Sequence, residues 1–269
     1  MKVLILSDLH LGTDVSRAGN LLNDIRPLAS QYDRVILNGD TLDRLETPDC
    51  EPDSGQLLAE VNSVFQSRSG PPELLTGNHD PAISKVDYVY LQDAATLVFH
   101  GDCIADCTHP AKLCEQALAR YMKAEWERIN GRPKKFLDLV YKYRRAQHRF
   151  LEKNPSVREA KSTIRYIMGS ISSPFRAIDI LKYWARSPGQ IAEISSTFDQ
   201  PIKRVVTGHT HRAGHWKISG LDLYNTGSCM PLSAPYAIIA DGHHISLRPL
   251  LPMLRTNRVV LPALTAAGR

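Results

Sequence analysis

A chain of 269 residues, 43% apolar and 23% charged, can bury a full core, which excludes a disordered chain and suits one large domain or a core domain carrying a sizeable insertion. No apolar run approaches the roughly 20 residues of a membrane-spanning helix; the apolar start at 2–6 is too short for a secretory signal before polar Ser7 and Asp8, so a cytoplasmic protein is expected. The net charge of +5 hides an asymmetry: residues 111–190 hold eighteen Lys and Arg against seven Asp and Glu, so the middle of the chain is basic and its flanks acidic.

Short β-branched and apolar runs predict strands at 2–7, 34–37, 73–76 and 96–99, with amphipathic helices at 16–29 and 54–66 between the first three. This alternation is an α/β pattern. From about 110 to 198 the spacing turns helical, first at Leu113, Ala117, Leu118 and Tyr121, later at Phe136, Leu137, Val140 and Tyr141. Asn130-Gly131-Arg132-Pro133, Asn154-Pro155, Ser173-Pro174 and Ser187-Pro188-Gly189 each offer a breaker or a cap, so four or five inserted helices are expected. Tyr121, Trp126, Tyr141, Tyr143, Tyr166 and Trp184 read as packing residues of those helices. Strands return at 204–207, 214–218, 221–224, 236–240 and 245–248, the last two joined at Asp241-Gly242, a hairpin signal. The tail beyond Pro252 has no strong periodicity.

Five cysteines, an odd number, argue against a disulfide framework. Cys103, Cys107 and Cys114 lie close together but match no usual zinc spacing, and they read as small buried apolar residues.

Five polar clusters stand where strands run out: Asp8-Leu9-His10, Asn38-Gly39-Asp40, Gly77-Asn78-His79-Asp80, His100-Gly101-Asp102 and Gly208-His209-Thr210-His211. A rigid sheet can aim several such loops at one spot. Taken singly, each cluster is an ordinary turn; five in succession at five strand ends point to a site. In Asp8-x-His10 and His209-x-His211 the partners sit two apart, so on extended backbone both side chains face one way and can share a metal or face a metal pair. Asp40 carries a carboxylate with two oxygens, able to bridge two cations. Asn78 and His79, being neighbours, should diverge, one holding something while the other acts on it. Oxygen and imidazole donors without thiolate suit manganese, iron or zinc, and a pair of such ions is the usual clamp for phosphate-ester hydrolysis.

These residues, in this order, resemble the calcineurin-like metallophosphoesterase superfamily, whose signature runs D-x-H, G-D, G-N-H-[DE], a single histidine, then G-H-x-H. The resemblance implies a four-layer αββα sandwich of two mixed β-sheets with a dinuclear metal centre at the strand ends. It places the core at 1–107 and 200–252, a large α-helical insertion at 108–199 and a C-terminal tail at 253–269. Carried over by position, one ion takes Asp8, His10, Asp40 and His211, and the other shares Asp40 and adds Asn78, His100 and His209. His79 is then the catalytic non-ligand, protonating the leaving oxygen or stabilising charge on the phosphoryl group while an activated water attacks in line. Two divalent ions are implied, foremost Mn2+, with Fe or Zn as alternatives.

Asp-Leu-His-Leu-Gly at 8–12, His100-Gly101-Asp102-Cys103 and a helical insertion before Gly-His-Thr-His-Arg are similar to the bacterial UDP-2,3-diacylglucosamine hydrolase branch. That likeness implies a nucleotide-diphosphate, lipid-linked substrate, with the insertion as a cap and a peripheral contact at the inner membrane. Two features differ from that branch: histidine rather than arginine at 79, and a longer insertion. A nuclease or cyclic-nucleotide phosphodiesterase using the basic helices to hold nucleic acid is the competing enzyme reading. A binding scaffold on the same fold would have lost ligands, and here every expected position is filled.

Overall fold

The computed structural model describes residues 1–12, 16–43, 52–91, 94–104, 174–196, 200–231 and 233–258, with Phe198 and separate residues between 124 and 145. The first strand, β1 (Lys2–Leu6), shows how the layers arise. Its side chains alternate, Val3 and Ile5 to one face and Leu4 and Leu6 to the other, and all four are buried. A strand covered on both faces lies inside a layered body.

Parallel pairing joins β1 to β2 (Arg34–Asn38) and β2 to β3 (Glu73–Leu75). A second sheet holds β4 (Tyr88–Tyr90), β5 (Thr96–Phe99), β6 (Arg204–Thr207), β7 (Gly214–Ile218) and β8 (Leu221–Asn225) in the order β4-β5-β6-β8-β7, with β5, β6 and β8 parallel. The hairpin of β9 (Tyr236–Asp241) and β10 (His244–Pro249) returns to the first sheet, giving β10-β9-β1-β2-β3. Both sheets are mixed. Val3, Ile5 and Ile36 of the first meet Val98, Val206 and Tyr224 of the second in the central core.

Leu4, Leu6 and Leu37 pack outward against α1 (Leu22–Ala29), α2 (Pro52–Val64) and a last helix, Leu250–Arg258. Leu97, Phe99 and Val205 pack outward on the other side, against Ile191 and Ala192 of α3 (Pro174–Ser196) and against Leu137 and Tyr141. The result is helix, sheet, sheet, helix: the four-layer αββα arrangement. Each fully buried Leu, Ile, Val or Phe contributes about 1.5–3 kcal/mol.

Three elements depart from the sequence reading. The strand β4 is only three residues long and pairs antiparallel with β5, too short to show a period. The tail forms helix α4 (Leu250–Arg258), entered through Leu250 and Leu251 with Pro252 in its first turn, where a missing N–H costs nothing; Leu250 and Leu254, four apart, are its buried face. The break expected at Ser187-Pro188-Gly189 does not occur, and α3 runs straight through Pro188. Tyr183, Ile191, Ala192 and Ser195 bury one face on both sides of the proline, which outweighs one lost hydrogen bond. Pro174 does open a helix, as a proline in a first turn should. The breakers at 130–133 and 154–155, and the other inserted helices, lie outside the described residues.

Tyr141 is buried in the core under the second sheet, as its packing role required. Cys103 and Cys229 are buried; Cys107 and Cys114 lie outside the described residues. Among the described residues, no helix is long and apolar enough to cross a membrane.

Candidate metal centre

Parallel pairing does not stop where the strands do. Asp8 N–H donates to the Gly39 carbonyl at 3.1 Å, His10 N–H to Asp40 at 2.9 Å and Leu11 N–H to Thr41 at 2.9 Å, so the loops after β1 and β2 are laced together. Asn38 Nδ2 donates to the Phe99 carbonyl at 3.0 Å, tying β2 in one sheet to β5 in the other at the site.

The backbone there is not extended, contrary to the geometry assumed for the two-apart pairs. Asp8, His10, Asp40, His209 and His211 have φ values of 55°, 49°, 48°, 65° and 56°. Left-handed conformation costs an L-residue about 1–2 kcal/mol. Aspartate and histidine visit it more readily than most, and strain of this kind gathers at functional sites. Glycine makes room beside them. A Cβ on Gly39, itself at φ +78°, would strike the His100 ring, and one on Gly208 would overlap the side chains of Ser7 and Asp8.

The structure brings the residues singled out from the sequence close together. Asp8, His10, Asp40 and His211 offer ligand atoms that all lie within 4.8 Å of one another. Inside that set, His10 Nε2 is 3.2 Å from His211 Nε2 and 3.8 Å from Asp40 Oδ2, and His211 Nε2 is 3.3 Å from Asp8 Oδ1. Asp40, His100 and His209 form a second set, with His100 Nε2 3.3 Å from Asp40 Oδ2. Asn78 joins it: its Oδ1 lies 3.2 Å from His100 Nε2 and 2.9 Å from His209 Nδ1. Asp40 belongs to both sets. His209 and His211 divide between them, so that pair faces two positions rather than sharing one.

Asn78 and His79 do diverge. While Asn78 turns into the second set, His79 stands 38% exposed with Nδ1 2.6 Å from Asp43 Oδ1. Its backbone N–H donates to Asp40 Oδ1 at 2.8 Å, so the Asp40 carboxylate and the exposed imidazole are fixed relative to each other. His10, Asp43 and His79 also converge closely enough to hold an ion. Yet His10 turns Nε2 to the first set and only Nδ1, at 3.6 Å and beyond a hydrogen bond, to Asp43, so the carboxylate orients the imidazole of His79 and lies beside that of His10.

Asp43 and Asp80 were missed in the sequence. The available signal was a carboxylate beside each cluster's key residue: Asp43 three residues after Asp40, and Asp80 directly after His79. Asp80 is fully buried and accepts from four backbone N–H groups: Asp40 at 3.0 Å, Thr41 at 2.7 Å, Leu42 at 3.1 Å and Gly77 at 2.9 Å. It holds the β2 loop to the β3 loop.

A family model for calcineurin-like phosphoesterases matches residues 1–213. The chain belongs to the calcineurin-like phosphoesterase family. No curated protein matches it. Solved structures similar to this phosphoesterase include Yfce, a phosphoesterase from E. coli, at 12% identity and TM-score 0.39, covering 91% of each chain. Another is an archaeal phosphodiesterase at 15% identity and TM-score 0.36, covering 93% of this chain and 100% of that one. A conserved Streptococcus pneumoniae TIGR4 protein described as a predicted phosphoesterase shares 13% identity at TM-score 0.34, over 91% of this chain and 86% of that one.

The phosphoesterase site is electrostatically suited to cations. Burial works against the charge on Asp8 and Asp40, yet neighbouring imidazoles, His100 foremost, outweigh it and hold both carboxyls below their usual range. The same pairing drives His100 up to about 10 against the cost of its burial, through Asp40 and then Asp8. His79 is likewise opposed by burial and pushed up to about 9 by Asp40 and the bond to Asp43. Burial, then the charge of Asp40, raises Asp80 to about 7. Donor geometry agrees: two imidazole nitrogens bound to one ion at roughly 2.1 Å would sit roughly 3.0–3.4 Å apart, and those of His10 and His211 are 3.2 Å apart. Carboxylate, amide and imidazole donors fit a divalent first-row ion. The chain is a metal-dependent phosphoester hydrolase.

Proposed function

We propose that this phosphoesterase works on a pair of divalent ions, foremost Mn2+, one held by Asp8, His10, Asp40 and His211 and the other by Asp40, Asn78, His100 and His209. The observation that carries the reading is the presence of Asp40 in both ligand sets. When bound, such ions lower the pKa of water and neutralise phosphoryl oxygens.

The chain's own residues do the rest. Asp43 accepts from Nδ1 of His79, which leaves Nε2–H of the charged imidazole to donate to the leaving oxygen. With more than a third of its side chain exposed, His79 can meet a substrate while staying fixed at its other nitrogen. Burial of Asp8 and Asp40 excludes water from the ligand carboxylates and strengthens their hold on cations.

For the substrate, the class we favour is a nucleotide-diphosphate linked to lipid, as in the UDP-2,3-diacylglucosamine hydrolase branch, with residues 108–199 as a cap. Support comes from the motifs shared with that branch and from the outer side of α3. There exposed Ile178 and Leu181 stand beside exposed Lys182 and Arg186, an arrangement that suits acyl chains next to an anionic headgroup and a peripheral membrane contact.

The test is a Mn2+-supplemented panel of an aryl monophosphate, a bis-aryl phosphate and UDP-2,3-diacylglucosamine. Chelator-sensitive turnover highest on the last supports the proposal. Turnover of the bis-aryl ester alone, with salt-sensitive binding of single-stranded nucleic acid, favours the nuclease reading instead. Empty sites and no turnover favour the scaffold.

A further inference from the structure

Among the described residues of the inserted segment, Trp184 and Arg145 each donate to a backbone carbonyl of the site loops. Trp184 of α3 gives its indole N–H to the carbonyl of Thr210 at 2.9 Å. Arg145 gives Nε–H to the carbonyl of Pro81 at 3.2 Å and Nη2–H to Asp87, whose Oδ1 also accepts the Thr76 hydroxyl at 2.6 Å. Thr210 stands between His209 and His211, and Pro81 stands three residues beyond Asn78. These loops meet inside the second ligand set, where Asn78 Oδ1 lies 2.9 Å from His209 Nδ1. The insertion thus holds, from outside the core, the loop that carries Asn78 and the loop that carries His209 and His211.

The uninterrupted helix suits this contact. Pro188 has no N–H to offer the Trp184 carbonyl four residues earlier. That carbonyl instead faces the Ser187 hydroxyl and Arg212 Nη1, each at 3.5 Å, and the Arg212 guanidinium lies 5.9 Å from the Trp184 ring and 5.6 Å from that of Trp216. Tyr183 meets the His209 ring edge-on at 6.2 Å. The loop held here has left-handed φ at both histidines, a conformation that persists only when the surroundings impose it. Asn225 imposes it from the sheet, donating to the Gly208 carbonyl at 2.5 Å and to Thr210 Oγ1 at 3.2 Å. Trp184 imposes it from the insertion, a role beyond the helix packing read from sequence.

We infer that Trp184 and Arg145 are positioning residues for the second ligand set, so that the insertion tunes the core's affinity for one ion of the pair. This rests on the two-ion reading above. It is tested by equilibrium dialysis of the full chain with Mn2+, comparing the parent with Trp184→Phe, Arg145→Gln and Asn78→Ala, the last marking which binding step belongs to the second set. Trp184→Phe and Arg145→Gln should each weaken that step by about three- to ten-fold, the loss of roughly one hydrogen bond; Arg145→Gln should leave the other step unchanged, and Trp184→Phe should weaken it less, through His211. At limiting Mn2+ their kcat should fall, and excess Mn2+ should restore it. Benzothienylalanine at 184, with the indole's shape but no N–H, should give the same shift even where the Phe variant folds poorly. Two ions bound by the parent with both steps unchanged in every positioning variant overturns the clamp alone, as does an equal loss in both steps with a lower melting temperature. Fewer than two ions bound by the parent overturns the two-ion reading beneath it.

Discussion

Asp43 Oδ1 faces two imidazoles at once, His79 at 2.6 Å and His10 at 3.6 Å, and so links the proposed acid to a proposed ligand. His79→Ala should leave metal content nearly unchanged and lower kcat by about 10²- to 10⁴-fold, since a proton donor is lost and no ligand is. Steady-state kinetics beside metal analysis checks this; loss of an ion would place His79 among the ligands. Asp43 also raises the His79 pKa, behind the larger influence of Asp40. Asp43→Asn therefore lowers that pKa, the imidazole deprotonates sooner as pH rises, and the alkaline limb of the kcat profile should move to lower pH. An unmoved limb would remove His79 as the group it reports. Asp40→Ala should empty at least one site, measured as ions per chain after dialysis.

At the scale of elements, the site depends on how strand ends are joined. Asp80 takes four backbone N–H groups from two loops, and an amide in its place would turn an N–H₂ toward some of them. Asp80→Asn should therefore cost about 2–4 kcal/mol in urea unfolding, the range for several unmade buried hydrogen bonds. A cost under about 0.5 kcal/mol, typical of surface substitutions, would show that other contacts hold the loops. The strands themselves were legible because their apolar runs are regular: β5, β6 and β7 have the bounds read from sequence, and the other predicted strands differ by one residue at one end or, for β10, by one at each end. Local pattern misled at Pro188, where the breaking tendency is intrinsic to the residue but the compensation comes from a core the pattern does not show. The left-handed turns at Asp8 and His209 were equally invisible, because neither residue type requires them.

On the scale of the whole molecule, the buried carboxylates of Asp8 and Asp40 must be balanced, by protons on imidazoles or by cations. Ions that bind only the folded chain stabilise it by about 2.7 kcal/mol at a hundred times Kd. Stripping them with a chelator should lower Tm by about 5–10 °C for a chain of this size, and added Mn2+ should restore it. A Tm indifferent to both would mean that the carboxylates are balanced internally.

The amino-acid sequence alone determined the α/β alternation and the order of the polar clusters, which follow from periodicity and from side-chain chemistry, properties of short stretches; through the family resemblance those clusters carry, it also implied the αββα class and the proposed ligand sets. Only the tertiary structure decided that Asp43 braces His79, that Asp80 knots two loops and that Trp184 of α3 reaches the histidine loop. Each of these is a contact between residues distant in the chain or in the turn, and which partners meet is set by how the two sheets pack.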